Sequence, residues 1–380
     1  MRIAFYMPFK PLDHPRPSGD LVIGSQIYRF LRSRGHAIHL VSRMRMRWFY
    51  WKPWQWFAWG VEIARVNRRL QRIRPHVWLT YHSYYKAPDV LGAVCAPARR
   101  IPYAVFQGVF ATKYQRRALT RPGFHLNRYA LLRADAVFTN KHRDLTNLRR
   151  LLPEKRLHYI APGLHLERFQ ADNAGDAALA PSWRNGARPV ILTAAMFRPG
   201  VKTEGLARVI TICGRLAARG LHFQLVVCGD GAGKARLKQL ARRHLQDRVH
   251  FAGRVPREEM PRYYRNADLF VFPGIREGLG MVFLEAQAAG LPVVACRGWG
   301  ASEIVRHDET GLLSSPGNWK DFEDHIVRLL TEHPLRIRMG AAAERHAAFH
   351  HDLERNFSLL ETQLKTLAYR RTGQERHRRK

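Results

Sequence analysis

Short apolar runs alternate with longer amphipathic stretches along almost the whole chain. Arg2 to Met7 reads as a buried strand, and the loop from Pro8 to Gly19 follows with three further prolines. Ile23, Ile27, Phe30 and Leu31 then recur at helical spacing behind Asp20, a residue suited to capping. That helix ends at Gly35, and Ala37 to Val41 is the next strand. Strands are expected again at His76–Thr80, Pro102–Phe106, Ala136–Thr139 and Leu157–Ile160. Helical patterns lie between them at about Ala58–Arg72, Phe124–Arg133 and Lys141–Leu151. Ala161-Pro162-Gly163-Leu164 closes this first region.

The alternation then restarts. Strands are predicted at Val190–Ala194, Phe223–Cys228, Val249–Phe251, Leu269–Phe272, Pro292–Ala295 and Thr310–Leu313. Helices are predicted at Glu204–Ala218, along a basic run to His244, at Pro256–Asn266, at Met281–Ala289 and in a short turn from Ser302. Trp319–Thr331, Leu335–Ala348 and Leu353–Leu367 are the closing helical segments. Strands alternating with helices define parallel, doubly wound sheets. The fold class is therefore α/β, in two Rossmann-like domains at 1–170 and 189–349. A polar linker spans 171–188. A C-terminal helix at 350–368 is expected to cross back to the first domain, and a disordered basic tail occupies 369–380.

Length agrees with this division, since 380 residues exceed one ordinary core. No run of apolar residues is long enough for a membrane span, and the N-terminus lacks the pattern of a signal peptide. Cys95, Cys213, Cys228 and Cys296 are scattered in apolar settings, which argues against a zinc site or a disulfide framework and fits a reducing cytoplasm.

Charge changes the picture more. The formal net charge is +34, and residues 1–170 carry 31 Lys/Arg against 8 Asp/Glu. The first region therefore faces something anionic: lipid head groups, a phosphorylated substrate or nucleic acid. A general arginine-rich background is the plainer explanation. Within this region five of the nine tryptophans fall in twelve residues: Trp48, Trp51, Trp54, Trp56 and Trp59, interleaved with Arg43, Arg45, Arg47 and Lys52. Such a stretch suits a membrane interface or a lipid acceptor, a packed lid, or stacking on single-stranded nucleic acid.

The densest chemistry lies at Phe272 to Glu285. A strand, a turn through Pro273 and Gly274, and a helix N-terminus follow one another there. Helix N-termini offer free N–H groups and partial positive charge to an anion, and Gly278 and Gly280 permit close approach. Glu277 and Glu285 cannot serve a phosphate, so sugar hydroxyls are their natural partners. Arg198 and Lys202, in the loop after Val190–Ala194, would complement a diphosphate. Strand-end position also makes His82 a candidate ligand-facing residue. Gly19 before the first helix is a single glycine without the full phosphate-loop pattern.

Glu277 and Glu285, within Pro273-Gly274-Ile275-Arg276-Glu277-Gly278-Leu279-Gly280-Met281-Val282-Phe283-Leu284-Glu285-Ala286 and followed by Ala289-Gly290-Leu291-Pro292-Val293-Val294-Ala295, resemble the signature of retaining glycosyltransferases of family 4. Gly229-Asp230-Gly231, Gly253-Arg254-Val255-Pro256, Glu303-Ile304-Val305 and Thr310-Gly311-Leu312-Leu313 stand in the order that family uses. Gly19 and Arg34-Gly35-His36 match its first glycine loop and helix end. The resemblance implies a GT-B fold, two domains facing a central cleft, and sugar transfer from a nucleotide-sugar donor without cofactor or metal. It implies that Glu277 contacts the donor sugar, that Glu285 contacts the ribose, and that the N–H groups of Gly280, Met281 and Val282 hold the diphosphate. Lys202, with Arg198, would neutralise the leaving phosphate, and Gly19, Gly278, Gly229 and Val255 complete the donor set. Two positions depart from the pattern. Met196 stands where the family commonly has arginine, leaving Arg198 as the nearest substitute. Gln107 stands where the family often has histidine, leaving His82 and Gln107 as the acceptor-side candidates.

The expectation is thus a cytoplasmic, peripheral-membrane retaining glycosyltransferase acting on a glycan or lipid-linked acceptor in cell-surface polysaccharide or lipopolysaccharide synthesis. Its partners would be a nucleotide-sugar and the anionic inner face of the cytoplasmic membrane, not nucleic acid. Another GT-B activity (a nucleotide-sugar epimerase or a soluble-acceptor transferase) and a basic nucleic-acid-binding protein are the alternatives.

Overall fold

The computed structural model describes residues 1–14, 19–169, 183–184 and 188–377, with side chains to Tyr369. The chain divides into two compact units, Met1–Ala161 with Glu354–Lys380, and Pro162–Leu353. Most of the 171–188 linker and part of the proline-rich loop before Gly19 lie outside the described residues.

In the first unit the order is β1 (Arg2–Tyr6), α1 (Gly19–Ser33), β2 (Ala37–Leu40), α2 (Pro53–Ile73), β3 (Val77–Ser83), α3 (Val90–Ala98), β4 (Tyr103–Gly108), α4 (Arg121–Arg133), β5 (Ala136–Thr139), α5 (His142–Arg149) and β6 (Leu157–Tyr159). The six strands are parallel in the order β2-β1-β3-β4-β5-β6. β3, β4 and β5 are almost wholly buried, which is why they read as continuous apolar runs rather than alternating ones.

In the second unit the order is β7 (Val190–Ala194), α6 (Val201–Ala218), β8 (Gln224–Cys228), α7 (Lys234–His244), β9 (Val249–Gly253), α8 (Met260–Arg265), β10 (Leu269–Val271), α9 (Met281–Ala288), β11 (Val293–Cys296), α10 (Ala301–Ile304), β12 (Gly311–Ser314), α11 (Trp319–Thr331) and α12 (His333–His350). Its six parallel strands run β12-β11-β10-β7-β8-β9. In both sheets the strand order reverses part-way across, after β1 in the first and between β10 and β7 in the second. Doubly wound sheets bind ligands outside the carboxyl ends of the strands at such reversals.

The last helix, α13, runs Leu353–His377. It packs on the first unit: Phe357 meets Phe30 with ring centroids 5.5 Å apart, and Asn356 Nδ2 donates to the Ala161 carbonyl at 3.1 Å. Its continuation to His377 corrects the expected disordered tail from 369, because residues 369–377 carry on the same helical ladder. Two more expectations are corrected. α2 begins at Pro53, five residues early, with proline in its first turn where the missing N–H costs nothing. α3 was not foreseen. It is apolar on nearly every side and contains Pro97, so no helical period shows. Its one legible signal was Asp89, whose side chain accepts from Gly92 N.

Glu361 anchors α13. His36 Nε2 lies 2.9 Å from one carboxylate oxygen, Arg34 Nε lies 3.3 Å from the other, and Lys365 pairs with it along the helix. Burial alone would raise this carboxyl, but the hydrogen bonds from Lys365, His36 and Arg34 outweigh it and bring the pKa down to about 2. A depressed carboxyl stabilises the fold above the ordinary glutamate range, and that contribution is lost as pH falls from there toward 2. Glu361→Gln is expected to cost about 1–2 kcal/mol at neutral pH, allowing for the exposed partners. In denaturant titrations the gap from the parent should close as the pH approaches 2.

Candidate active site

β7 and β10 are hydrogen-bonded neighbours, with Ile191 opposite Leu269 and Leu192 opposite Phe270. Their carboxyl ends open into two loops that meet at the strand-order reversal. The loop after β10 turns through Gly274 (φ 65°), where an added Cβ would strike the Phe283 ring at 2.5 Å. It passes Arg276 in the left-handed region and reaches Gly280 (φ 72°), the residue capping α9. A Cβ on Gly280 would lie 2.7 Å from the Gly300 carbonyl oxygen, and one on Gly300 would lie 2.4 Å from Gly280 N. The two backbones are in direct contact, and Gly300 N also donates to the Glu277 carbonyl at 3.0 Å.

No side chain caps α9. Phe283 and Leu284 donate to the Gly280 carbonyl, which leaves the first-turn N–H groups of Met281 and Val282 without helical partners. With the helix dipole they form an anion-binding end. Lys202 lies in the first turn of α6, and its Nζ is 2.9 Å from Glu277 Oε2. Both side chains remain partly open to solvent. The loops after β7 and β10 therefore present a lysine, a glutamate and free N–H groups at one place. Glu285, one turn into α9, accepts from Tyr264 Oη at 3.0 Å. Burial raises its pKa, against the opposing pull of Arg257 and the Tyr264 hydrogen bond.

The loop after β8 supports the loop after β7. Phe197 N donates to the Asp230 carbonyl and Gly233 N donates to the Phe197 carbonyl, each at 3.0 Å. Gly229 (φ 145°) is obligatory, since a Cβ there would fall 1.9 Å from the Ala195 carbonyl oxygen. Gly229 N in turn donates to Gly253 O at 2.7 Å, which ties in the turn carrying Val255. Val255 packs against the core. The Arg198 side chain is exposed and forms no ion pair with Glu277. Its carbonyl accepts from Thr203 Oγ1 at 2.6 Å. Gly278 has nothing within 4 Å of an added Cβ, so its freedom answers no neighbour in the protein.

Gly19, His82 and Gln107 belong to the first unit. Gly19 opens α1 and has open space around it. Asp20 lies in the first turn rather than capping the helix as expected, and its carboxylate is 3.4 Å from His82 Nδ1. The His82 ring stacks on Tyr84 with centroids 4.6 Å apart. Burial lowers the His82 pKa and Lys141 adds to this, while Asp20 and Asp144 pull it back. Gln107 is buried, and its Oε1 accepts from Tyr81 Oη at 3.0 Å. β1 and β3 are neighbours, so Asp20 and His82 meet at the strand-order reversal of the first sheet. The sequence did not single out Tyr264, Gly300 or the Asp20–His82 pair.

The five tryptophans divide. Trp48 turns inward against Tyr50, Tyr85 and Lys86, and Trp59 packs on the core. Only Trp51, Trp54 and Trp56 are exposed, so Trp48 and Trp59 leave the proposed surface patch. The stretch is thus packed inward at Trp48 and Trp59 and open to solvent at the other three.

Two six-stranded parallel sheets, each with helices between its strands, define a GT-B type α/β protein. Residues 184–346 match the family model for glycosyl transferases group 1. The chain is 34% identical over 198 residues to the GDP-mannose-dependent alpha-(1-6)-phosphatidylinositol monomannoside mannosyltransferase of Mycobacterium tuberculosis, covering 50% of this chain and 51% of that protein. It is 31% identical over 221 residues to the alpha-D-kanosaminyltransferase of Streptomyces kanamyceticus, covering 57% and 56%. The chain thus spans about half the length of these curated relatives. The fold matches Anabaena HepE, solved with UDP, at a TM-score of 0.76 and 17% identity over 96% of this chain and all of that one.

Gly280→Ala is expected to cost about 1–3 kcal/mol, because a left-handed backbone and a backbone clash coincide there. Gly278→Ala should stay within about 0.5 kcal/mol. Denaturant unfolding of the two variants checks the contrast.

Proposed function

We propose that the protein is a metal-independent, retaining glycosyltransferase that moves a sugar from a nucleotide-sugar to a glycan or lipid-linked acceptor in cell-surface polysaccharide or lipopolysaccharide synthesis. It acts in the cytoplasm, at the inner face of the membrane. The observation that carries this reading is the meeting of Lys202, Glu277 and the free N–H groups of α9 at the β7–β10 strand ends.

In this reading the donor diphosphate lies against the N–H groups of Met281 and Val282. Lys202 exchanges part of its Glu277 contact for a phosphate oxygen, with Arg198 swinging in from the exposed loop. Glu277 then holds sugar hydroxyls, and Glu285, kept in place by Tyr264, receives those of the ribose. The bond from the anomeric carbon to the phosphate oxygen breaks, and its electron pair stays on that oxygen. The acceptor hydroxyl oxygen bonds to the same carbon on the same face, and its proton passes to the departing phosphate. Negative charge grows on the leaving group as this happens, and fixed cations and N–H dipoles lower that barrier most. Lys202 and Arg198 take the part that a metal plays in other transferases. Asp20, His82 and Gln107 mark the acceptor side, where His82, with Nδ1 turned to Asp20, leaves Nε2 for a hydroxyl.

The relatives' names place GDP-mannose first among donors to try, and HepE, solved with UDP, places UDP-sugars second. A thermal-shift panel of nucleotide-sugars in EDTA should give a rise in Tm for one base family. Lys202→Ala and Glu277→Gln should each lower transfer by about a hundredfold or more while the folded protein persists. NMR of the product should show the donor's anomeric configuration. Unchanged transfer in both variants, or an inverted product, would overturn the reading.

A further inference from the structure

We infer that the first unit docks on an anionic lipid bilayer through the outward face of α2 and the loop that precedes α4. This deepens the membrane location proposed above, and it stands or falls apart from donor binding, which belongs to the second unit.

Glu62, Val66 and Leu70 are the buried positions of α2, with Trp59 and Ile63 packed beside them. Trp54, Phe57 and Val61 therefore fall together on the opposite side at helical spacing. Trp54 is 71% exposed and Phe57 is 81% exposed. Trp51 Nε1 donates to the Leu119 carbonyl at 2.9 Å, which draws the loop before α4 against the start of α2. Leu119, itself 63% exposed, extends the same apolar patch. Solvent-facing large apolar side chains gathered in this way mark an interaction surface rather than chance exposure.

The patch stands on an ordered base. Tyr85 and Tyr114 stack with centroids 3.7 Å apart, Tyr50 Oη donates to the Tyr85 carbonyl at 3.0 Å, and Trp48 packs against both Tyr50 and Tyr85. Little further ordering is needed on binding, so the apolar area converts more fully into affinity.

Charge selects the occupant. Further along the outward face of α2 come Arg65, Arg68 and Arg72, and Lys113, Arg116, Arg117 and Arg121 flank Leu119, all exposed. Residues 43–133 hold 18 Lys/Arg and only two carboxylates, Glu62 and Asp89, both buried. Aromatic side chains entering the head-group region, with long cations reaching lipid phosphates around them, form an interfacial anchor. No described helix is long and apolar enough to cross a membrane, so the anchor lies on the surface. A second copy of this chain would bring the same cations face to face, which disfavours self-pairing. The aliphatic Val61 and Leu119 within it suit acyl chains better than stacked bases.

Sedimentation of the full chain with phosphatidylglycerol or phosphatidylcholine vesicles tests this, with tryptophan emission as a second readout. The protein should pellet with the anionic vesicles, with a blue shift, and lose much of that binding at high salt. Trp54→Ser with Phe57→Ser should weaken partition about tenfold or more. Arg116→Glu with Arg117→Glu should remove most of the salt-sensitive part. Far-UV circular dichroism and the unfolding midpoint should match the parent in both double variants, which shows that they fold. Equal binding to both vesicle types, or no effect of the aromatic pair, overturns the inference. So does an aromatic variant that only converts an oligomer to monomers, or that only loses binding to single-stranded RNA.

Discussion

Gly280 and Gly300 lie backbone against backbone, and the second unit's site depends on that contact. Only a pair of residues without side chains can come this close. The contact fixes where α9 begins, and so where its unpaired N–H groups point. The same approach lets Gly300 hold the Glu277 carbonyl, which places the Glu277 side chain beside Lys202. One steric constraint thereby sets an anion-binding helix end and a lysine–glutamate pair together at the strand-order reversal of the sheet. The glycines after β8 act one layer further out, by letting the loop after β7 close on its neighbour.

The electrostatics of the two units differ in kind. The first unit holds most of the excess positive charge, spread over exposed arginines and lysines with few carboxylates among them. Such a field is long-ranged, screened by salt and indifferent to detail. At the second unit's site the balance is local, with Lys202 joined to Glu277 and Glu285 to Tyr264. Neither pair could be inferred from net charge. A lysine already matched to a carboxylate is held in position for a phosphate without being left as an uncompensated charge. On the proposed reading, the first arrangement suits an anionic plane and the second a single diphosphate.

Much of this was legible in the sequence, for physical reasons that vary by element. The parallel strands could be read because burial on both faces makes them continuous apolar runs. Glu277, Lys202 and the α9 turn could be read because glycine and charge at strand ends are uncommon and specific. Other features were hidden. α3 has no polar face to give it a period, and α2 starts among aromatic residues that favour helix no more than strand. Asp20 carries the ordinary signature of a helix cap, and its approach to His82 comes from two strands that are neighbours in space but far apart in sequence. Gly300 shows nothing until α9 is in place beside it. The division of Trp54, Trp56 and Trp59 between core and solvent follows from the register of α2, which begins only at Pro53.

We propose that a donor diphosphate is held by the N-terminus of α9 and by Lys202, without a metal. Titration calorimetry in EDTA, comparing a nucleoside diphosphate with its monophosphate on the parent and on Lys202→Ala, tests it most directly. The diphosphate should bind the parent at least about tenfold more tightly than the monophosphate, and Lys202→Ala should remove most of this difference. Equal affinity for the two nucleotides, or a preference that survives the loss of Lys202, would contradict it.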